Sequence, residues 1–381
     1  MDHEVVILAR QEKDNQKVQN LIELPPVIRF VPPNLPRRLW SLWPVLEARA
    51  LRYALLTVAG DYDAFVCHDA AYGLAFKHLG PEKPVIFRIA GAAKIHDSCV
   101  PPRRTNGESS VSALKRRAWS RFMANENDWV DGYAWRRADA LVVQSEFMQR
   151  DIARFYRVPL ERIRVVPSGV DHNRFLATAN TNTCVRQLLG ESIQKRIITF
   201  CGRLVRMKNI PYLLRAFALM ARRRDALLLI VGDGEERLEL ELEASRLGIG
   251  PEVRFVGHQE RVEKFLAVSH IFVLPSLYEP FANALLEASA AGLTCLALKP
   301  DYQKVRTGCG EVIVDGVTGF LTDPEEPQSL ATRLDYLVAN PEMLKKMGIE
   351  GQARCQRLYN WEKCAKQYLD TITSAHDAIR N

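Results

Sequence analysis

The chain has no Cys-x-x-Cys pair and no cluster of His with Cys, although it contains 8 cysteines and 8 histidines among its 381 residues. Disulfide frameworks and zinc sites depend on such spacing, so neither is expected. Several cysteines, Cys201 and Cys295 among them, lie in strand-like apolar runs and read as small core residues. No apolar run approaches the roughly 18 residues that a membrane span requires. The segment Met1–Leu8 (MDHEVVIL) carries no basic leader and is too polar for a signal peptide. These two absences lead to the expectation of a cytoplasmic protein. Neither a tandem repeat of about 20–50 residues nor a low-complexity tract is found.

What is present is ordinary in amount and uneven in placement. Apolar residues make up 47% of the chain and charged residues 25%, as in a soluble globular protein. The length exceeds one domain of usual size, so two are expected. The net charge of +7 is moderate, but Arg103, Arg104, Lys115, Arg116, Arg117 and Arg121 crowd one stretch, with Trp119 and Phe122 among them. A basic segment with interleaved aromatics suits an anionic membrane surface, on the inner face if the protein is cytoplasmic. It equally suits a solvated helix face, and both readings stand. Nucleic acid is not expected as a partner, because no nucleic-acid module accompanies the charge.

Strand-like and helix-like stretches alternate, which predicts an α/β protein with parallel sheets and crossover helices. In the first half the expected strands are 5–9, 64–67, 85–89, 140–143 and 163–166, with helices at 39–56 and 146–155. In the second half they are 197–201, 226–231, 253–256, 271–274 and 294–298, with helices at 210–221 and 235–247. The polar stretch 177–191 is the expected linker.

One spacing stands out. Glu279 and Glu287 lie in the run Leu274–Ala288 (LPSLYEPFANALLEA), with seven residues between them. The strand 271–274 precedes the run, and a helix is expected over 283–290. Glu279 is thereby placed in the loop at the carboxyl end of a strand, and Glu287 about two turns on from it, in the following helix. Open α/β sheets bind ligands outside the carboxyl ends of their strands. Two carboxylates there suit two sets of hydroxyls, such as those of a sugar and a ribose. The alternative is a pair of surface carboxylates.

The run resembles the Glu-x7-Glu motif of retaining, sugar-nucleotide-dependent glycosyltransferases of the large fourth family. Other pieces resemble that family in the right order: Val166–Asp171 (VPSGVD) with Phe175, Gly202–Asn209 (GRLVRMKN), Val231–Glu235 (VGDGE), Val253–Gly257 (VRFVG) and Gly316–Leu321 (GVTGFL). The resemblance covers about residue 138 onward. It implies the GT-B fold, two Rossmann-like domains facing across a cleft. The expected division is an acceptor domain over 1–178, a donor domain over 179–360 and a helix over 361–381 crossing back to the first domain. The chain starts at what looks like the family's second strand, so either the N-terminal domain is reduced, without its first strand, loop and helix, or the chain lacks its native start.

The resemblance also implies roles. Gly202, Arg203 and Lys208 would hold the diphosphate of the donor, where a guanidinium fork and an ammonium meet leaving-group charge. Glu287 would accept hydrogen bonds from ribose hydroxyls, and Glu279 would contact the transferred sugar near its anomeric carbon. The amides of Phe281, Ala282 and Asn283, at the start of a helix, would meet sugar or phosphate oxygens. The base would pack near Phe255, Val256 and His258. Ala282 stands where the family commonly has Gly, which narrows the space for the sugar. Gly232 and Gly234 read as structural, since a lone Gly-x-Gly is a weak phosphate signal.

The first half departs from the family. His68 follows an expected strand and either faces the cleft or is a locally satisfied strand-end histidine. The family's functional His falls at Ala90, in Phe87–Gly91 (FRIAG), and His96 is a candidate substitute. Asp61 and Asp63 do not read as a metal-binding Asp-x-Asp, because they precede a strand and Gly60 signals a turn. The resemblance implies transfer with retention, no cofactor and no metal. Its acceptor would be a glycan, a lipid-linked precursor or a small molecule. The alternatives are a degenerate nucleotide-sugar-binding protein and an epimerase on the same fold.

Overall fold

A computed structural model describes residues 7–10, 27–30, 63–68, 77, 82–92, 129–176 and 183–380. Strands β1 (Ile7–Arg10) and β2 (Val27–Phe30) pair in parallel. Strands β3 (Phe65–Cys67), β4 (Val85–Arg88), β5 (Ala140–Val143) and β6 (Ile163–Val165) form a parallel sheet in that order. The second large sheet is built from β7 (Arg196–Cys201), β8 (Ala226–Val231), β9 (Val253–Phe255), β10 (Ile271–Leu274), β12 (Thr294–Leu298) and β14 (Gly319–Thr322). Its order is β14-β12-β10-β7-β8-β9, all parallel. Two short strands, β11 (Tyr278–Glu279) and β13 (Arg306–Thr307), make a separate parallel pair.

Every residue of β8, β10 and β12 is buried. Parallel sheets are covered on both faces, which is why these strands are continuous apolar runs and do not alternate. Burying one such Leu or Ile side chain contributes about 1.5–3 kcal/mol. Helices Ile210–Leu219, Asn283–Ala290, Pro327–Ala339 and Pro341–Leu358 supply buried residues to one continuous core with this sheet.

The first sheet shows the same logic with two different covers. Val85, Phe87, Leu141 and Val143 pack with Phe147, Met148 and Ile152 of helix α1 (Glu146–Tyr156). The alternate residues Ile86, Ala140 and Val142 pack with Cys364 and Ala375 of the helix Trp361–Arg380. Successive strand side chains point to opposite faces, so adjacent residues serve the two covers. Val166–Val170 crosses the start of that last helix closely: a Cβ on Gly169 would lie 2.5 Å from the Trp361 nitrogen.

The expected linker is corrected over 183–191. Thr183–Leu189 is helical, and Val185 and Leu189 are buried with Ile197, Leu227, Leu229 and Phe265. The four-residue spacing of two apolar side chains outweighs the polar composition. The expected helix over 39–56, the basic stretch 103–121, Asp61 and His96 lie outside the described residues.

Candidate active site

The site lies at the carboxyl ends of β7 and β10, and neighbouring backbone fixes its loops. After β7, the Gly202 N–H donates to Val231 O at 3.0 Å and the Leu204 N–H to Asp233 O at 2.9 Å. The close approach explains the two glycines after β8. A Cβ on Gly232 would lie 1.9 Å from Gly202 O, and one on Gly234 would lie 2.4 Å from Leu204 O. On the other side the Leu277 N–H donates to Met207 O at 2.8 Å. The loop carrying Arg203 and Lys208 is thus tied to both flanking strand ends.

Lys208 Nζ donates to Glu279 Oε2, and Ser276 Oγ donates to the same oxygen at 3.2 Å. Both charged side chains are largely buried, at 14% and 16% exposure. Arg203 is exposed and has no carboxylate partner among the described residues. Glu279 lies in β11 and not in an open loop as expected: the Gly308 N–H donates to Glu279 O at 2.9 Å and the Arg306 N–H to Leu277 O at 2.8 Å.

Glu287 is half-buried in the helix Asn283–Ala290. Burial pushes its carboxyl above the ordinary value, with Arg174 opposing and Glu263 reinforcing the shift. Glu263 is buried and takes hydrogen bonds from Arg174 and Arg261, both at 2.8 Å. Burial pushes Glu263 up as well, and those two arginines outweigh it, leaving the carboxyl below the ordinary value. Phe281 and Ala282 are buried at the start of the helix, and the Asn283 N–H donates to Phe281 O at 3.0 Å. Of the three expected amide donors, Asn283 is therefore already engaged. Phe255 and Val256 are half-buried and His258 is exposed, all beyond the end of β9 or at it.

The Cys201 and Cys309 thiols are each pushed up to about 12, chiefly by burial, with Glu287 adding at Cys201 and Glu279 at Cys309. A nucleophilic cysteine needs an accessible thiolate, so neither thiol suits that role.

The first sheet reaches this site through β4 and α1. The Ala92 N–H donates to Tyr278 Oη at 3.0 Å, and Ser145 Oγ donates to Pro280 O at 2.6 Å. Glu311 accepts from the Glu146 and Phe147 N–H groups at 3.0 and 3.1 Å. A carboxylate at a helix N-terminus is favourable, and here it also joins the two halves. Burial nevertheless holds the Glu311 carboxyl above its ordinary value. Ala90 is exposed in the same β4 turn. His68 follows β3, one strand further out, and takes no part in these bridges. It is exposed, and desolvation together with Arg88 lowers its pKa.

Tyr278, Ser276, Arg174 and Glu311 were not singled out in the sequence. Tyr278 sits beside Glu279 and Arg174 beside Phe175, inside motif pieces already recognised. Glu311 carried no such signal.

Two parallel-sheet domains with cations and carboxylates at the strand ends fit the GT-B class. Solved structures support that fold. Sucrose-phosphate synthase from Thermosynechococcus elongatus superposes with a TM-score of 0.75 at 22% identity, over 98% of this chain and 90% of its own. Anabaena Alr3699/HepE in complex with UDP and glucose gives 0.68 at 20% identity, over 92% and 86%. The model for Glycosyltransferase Family 4 matches residues 1–174, and that for Glycosyl transferases group 1 matches 185–354. The chain belongs to the group 1 glycosyltransferases.

Among curated relatives, the alpha-maltose-1-phosphate synthase of Mycolicibacterium smegmatis is 28% identical over 261 residues, 64% of this chain. The D-inositol 3-phosphate glycosyltransferase of Streptomyces avermitilis is 31% identical over 256 residues, again 64% of this chain. The matches span 65% and 53% of those relatives' own lengths.

Proposed function

We propose that this chain transfers a sugar from a nucleoside-diphosphate sugar to an acceptor hydroxyl with retention, giving an α-glycoside. The observation that carries the proposal is the meeting of Lys208 and Glu279 at the ends of β7 and β10, with Arg203 exposed beside them. A cation pair and a fixed carboxylate suit a site where diphosphate charge develops next to sugar hydroxyls. Solved neighbours hold UDP and UDP-glucose, which supports a nucleotide-sugar donor.

In this reading Arg203 and Lys208 hold the diphosphate and Glu287 accepts from ribose hydroxyls. Glu279 contacts the sugar, and Phe255, Val256 and His258 border the base. The bond from the anomeric carbon to the diphosphate oxygen breaks as the bond to the acceptor oxygen forms on the same face. The departing phosphate takes the acceptor proton. Arg203 and Lys208 neutralise the leaving group, so the proposal includes independence of metal. The acceptor binds against the first sheet and is a glycan, a lipid-linked precursor or a small molecule. Attachment to an anionic membrane belongs to the lipid-linked version. No helix of at least 18 residues among the described residues is apolar enough to cross a membrane.

A second reading, a protein that holds the sugar nucleotide without turning it over, is favoured by Ala90 at the position of the family's histidine. The test is product analysis with UDP-, GDP- and ADP-sugars in the presence of a strong chelator, with anomeric configuration read by NMR. An α-linked product formed with chelator present is expected. Binding of a nucleotide sugar without any product supports the second reading, and a β-linked or strictly metal-dependent product overturns the proposed mechanism.

A further inference from the structure

Glu279 is carried on a ladder too short to hold itself. Strands β11 and β13 have two residues each, paired Tyr278 to Arg306 and Glu279 to Thr307. An isolated two-stranded unit is marginal in water, so this one depends on what grips it. The grip on β13 comes from the other domain. Arg306 Nη1 donates to Asp151 Oδ2 of α1 at 2.7 Å, across 155 residues of sequence. The two side chains are 8% and 9% exposed, and Asp151 is the sole carboxylate paired with Arg306 among the described residues. The guanidinium also lies 5.2 Å from the ring centroid of Phe155, one turn along α1.

The same arginine faces both ways. Its main-chain N–H holds Leu277 O at 2.8 Å, the residue that also ties to Met207 in the Arg203–Lys208 loop. We propose that Asp151 and Arg306 are positioning residues: through β13 they set the placement of β11, and so of the Glu279 carboxylate against Lys208. Neither touches the reacting groups. The inference rests on the glycosyl-transfer reading for its consequence on rate, and on the geometry alone for the coupling.

The rival explanation is a buried ion pair that merely stabilises the domain contact. The two separate in the double variant Asp151→Leu/Arg306→Met. Replacing a buried ion pair by apolar side chains of similar volume is often neutral or stabilising, whereas removing one partner strands a buried charge. The double variant is therefore expected to melt at or above the wild type. Apolar packing lacks the direction of the ion pair, so the ladder shifts. Amide exchange at 277–279 and 306–308 is expected to quicken while that of β7 and β8 stays unchanged. With whichever of the UDP-, GDP- or ADP-sugars the wild type turns over fastest, kcat is expected to fall by about 10–100-fold, the scale of a small misplacement of reacting groups. The donor KM is expected to move by less than about twofold.

Wild-type exchange and wild-type kcat in the double variant overturn the proposal and leave the pair a stabiliser only. If the wild type turns over none of these donors, the glycosyl-transfer reading fails, and exchange at 277–279 and 306–308 still decides the coupling. Should the double variant not fold, Arg306→Lys serves in its place. It keeps the charge and loses the planar fork, and its exchange is read at the same amides with the same two outcomes.

Discussion

Lys208 and Glu279 form a largely buried ion pair although 71 residues separate them, and Ser276 donates to the same carboxylate oxygen. The ammonium is therefore positioned before any ligand arrives, whereas the neighbouring Arg203 is exposed. In the proposed transfer, such a preset charge would meet the developing leaving-group charge without reorganising first.

That contrast separates the two cations by experiment. Either Arg203→Ala or Lys208→Ala is expected to remove about 2–4 kcal/mol of transition-state stabilisation, read as kcat/KM for the donor. Arg203→Ala should leave the melting midpoint nearly unchanged, within about 0.5 kcal/mol, as for an exposed site. Lys208→Ala should also lower it, because Glu279 then loses its partner. Unchanged turnover in both variants would remove these residues from the site.

Glu287 gives a pH signature. Its carboxyl is raised by burial, so the protonated form persists to higher pH than in an ordinary glutamate. Accepting from ribose hydroxyls needs the ionised form, so UDP affinity should fall as pH falls through the raised value. The fold responds with the opposite sign: the folded state binds more protons there, and stability declines as pH rises from the ordinary glutamate value through the raised one. Calorimetric titration of UDP across that range checks the first effect, with Glu287→Gln as control. An identical pH profile in the control refutes the assignment.

The glycine after β8 should matter to the site as well as to the fold. A Cβ on Gly232 collides with Gly202 O at 1.9 Å, and its φ of +138° is already unfavourable for other residues. Gly232→Ala is expected to cost about 1–3 kcal/mol of stability and to weaken UDP binding by displacing the Arg203 loop. Gly316, with φ of +75° and open space around it, provides the comparison. Gly316→Ala should cost about 1 kcal/mol and leave UDP affinity alone. Melting curves and titration on both variants decide the matter; equal nucleotide affinity in the two removes the link to the site.

The basic cluster from Arg103 to Arg121 allows a membrane test. On an anionic surface each such side chain contributes about 1 kcal/mol, screened beyond a Debye length. Co-sedimentation with phosphatidylserine vesicles at low salt, lost at high salt, is the expected result for a lipid-linked acceptor. Protein that stays in the supernatant at low salt points to a soluble acceptor.

Legibility in the sequence followed locality. Strands 140–143, 226–231, 271–274 and 294–298 were readable to the residue, because strands buried on both faces are nearly continuous apolar runs. Strand β14 was seen only as a motif. It begins at Gly319, where a Cβ would lie 1.8 Å from Cys295 O, so a residue that reads as a turn serves close strand packing. The pair β11 and β13 is too short for any periodicity to show. The helix Thr183–Leu189 hid behind the threonines and asparagines before it. In the site, Glu279 and Lys208 were named through the family resemblance, and their contact across 71 positions was not foreseen. Asp151 and Arg306 were not named, since nothing local marks two charges that meet only after both domains have folded.

The final helix has a consequence for synthesis. Ile86, Ala140, Val142 and Val166 gain their cover from Cys364 and Ala375, which leave the ribosome about 200 residues after β6. At ~5–20 residues per second, one apolar face of the first sheet waits roughly 10–40 s for its partner. During that interval the nascent chain presents a sheet face that chaperones recognise, and the second domain can complete its own core before the first.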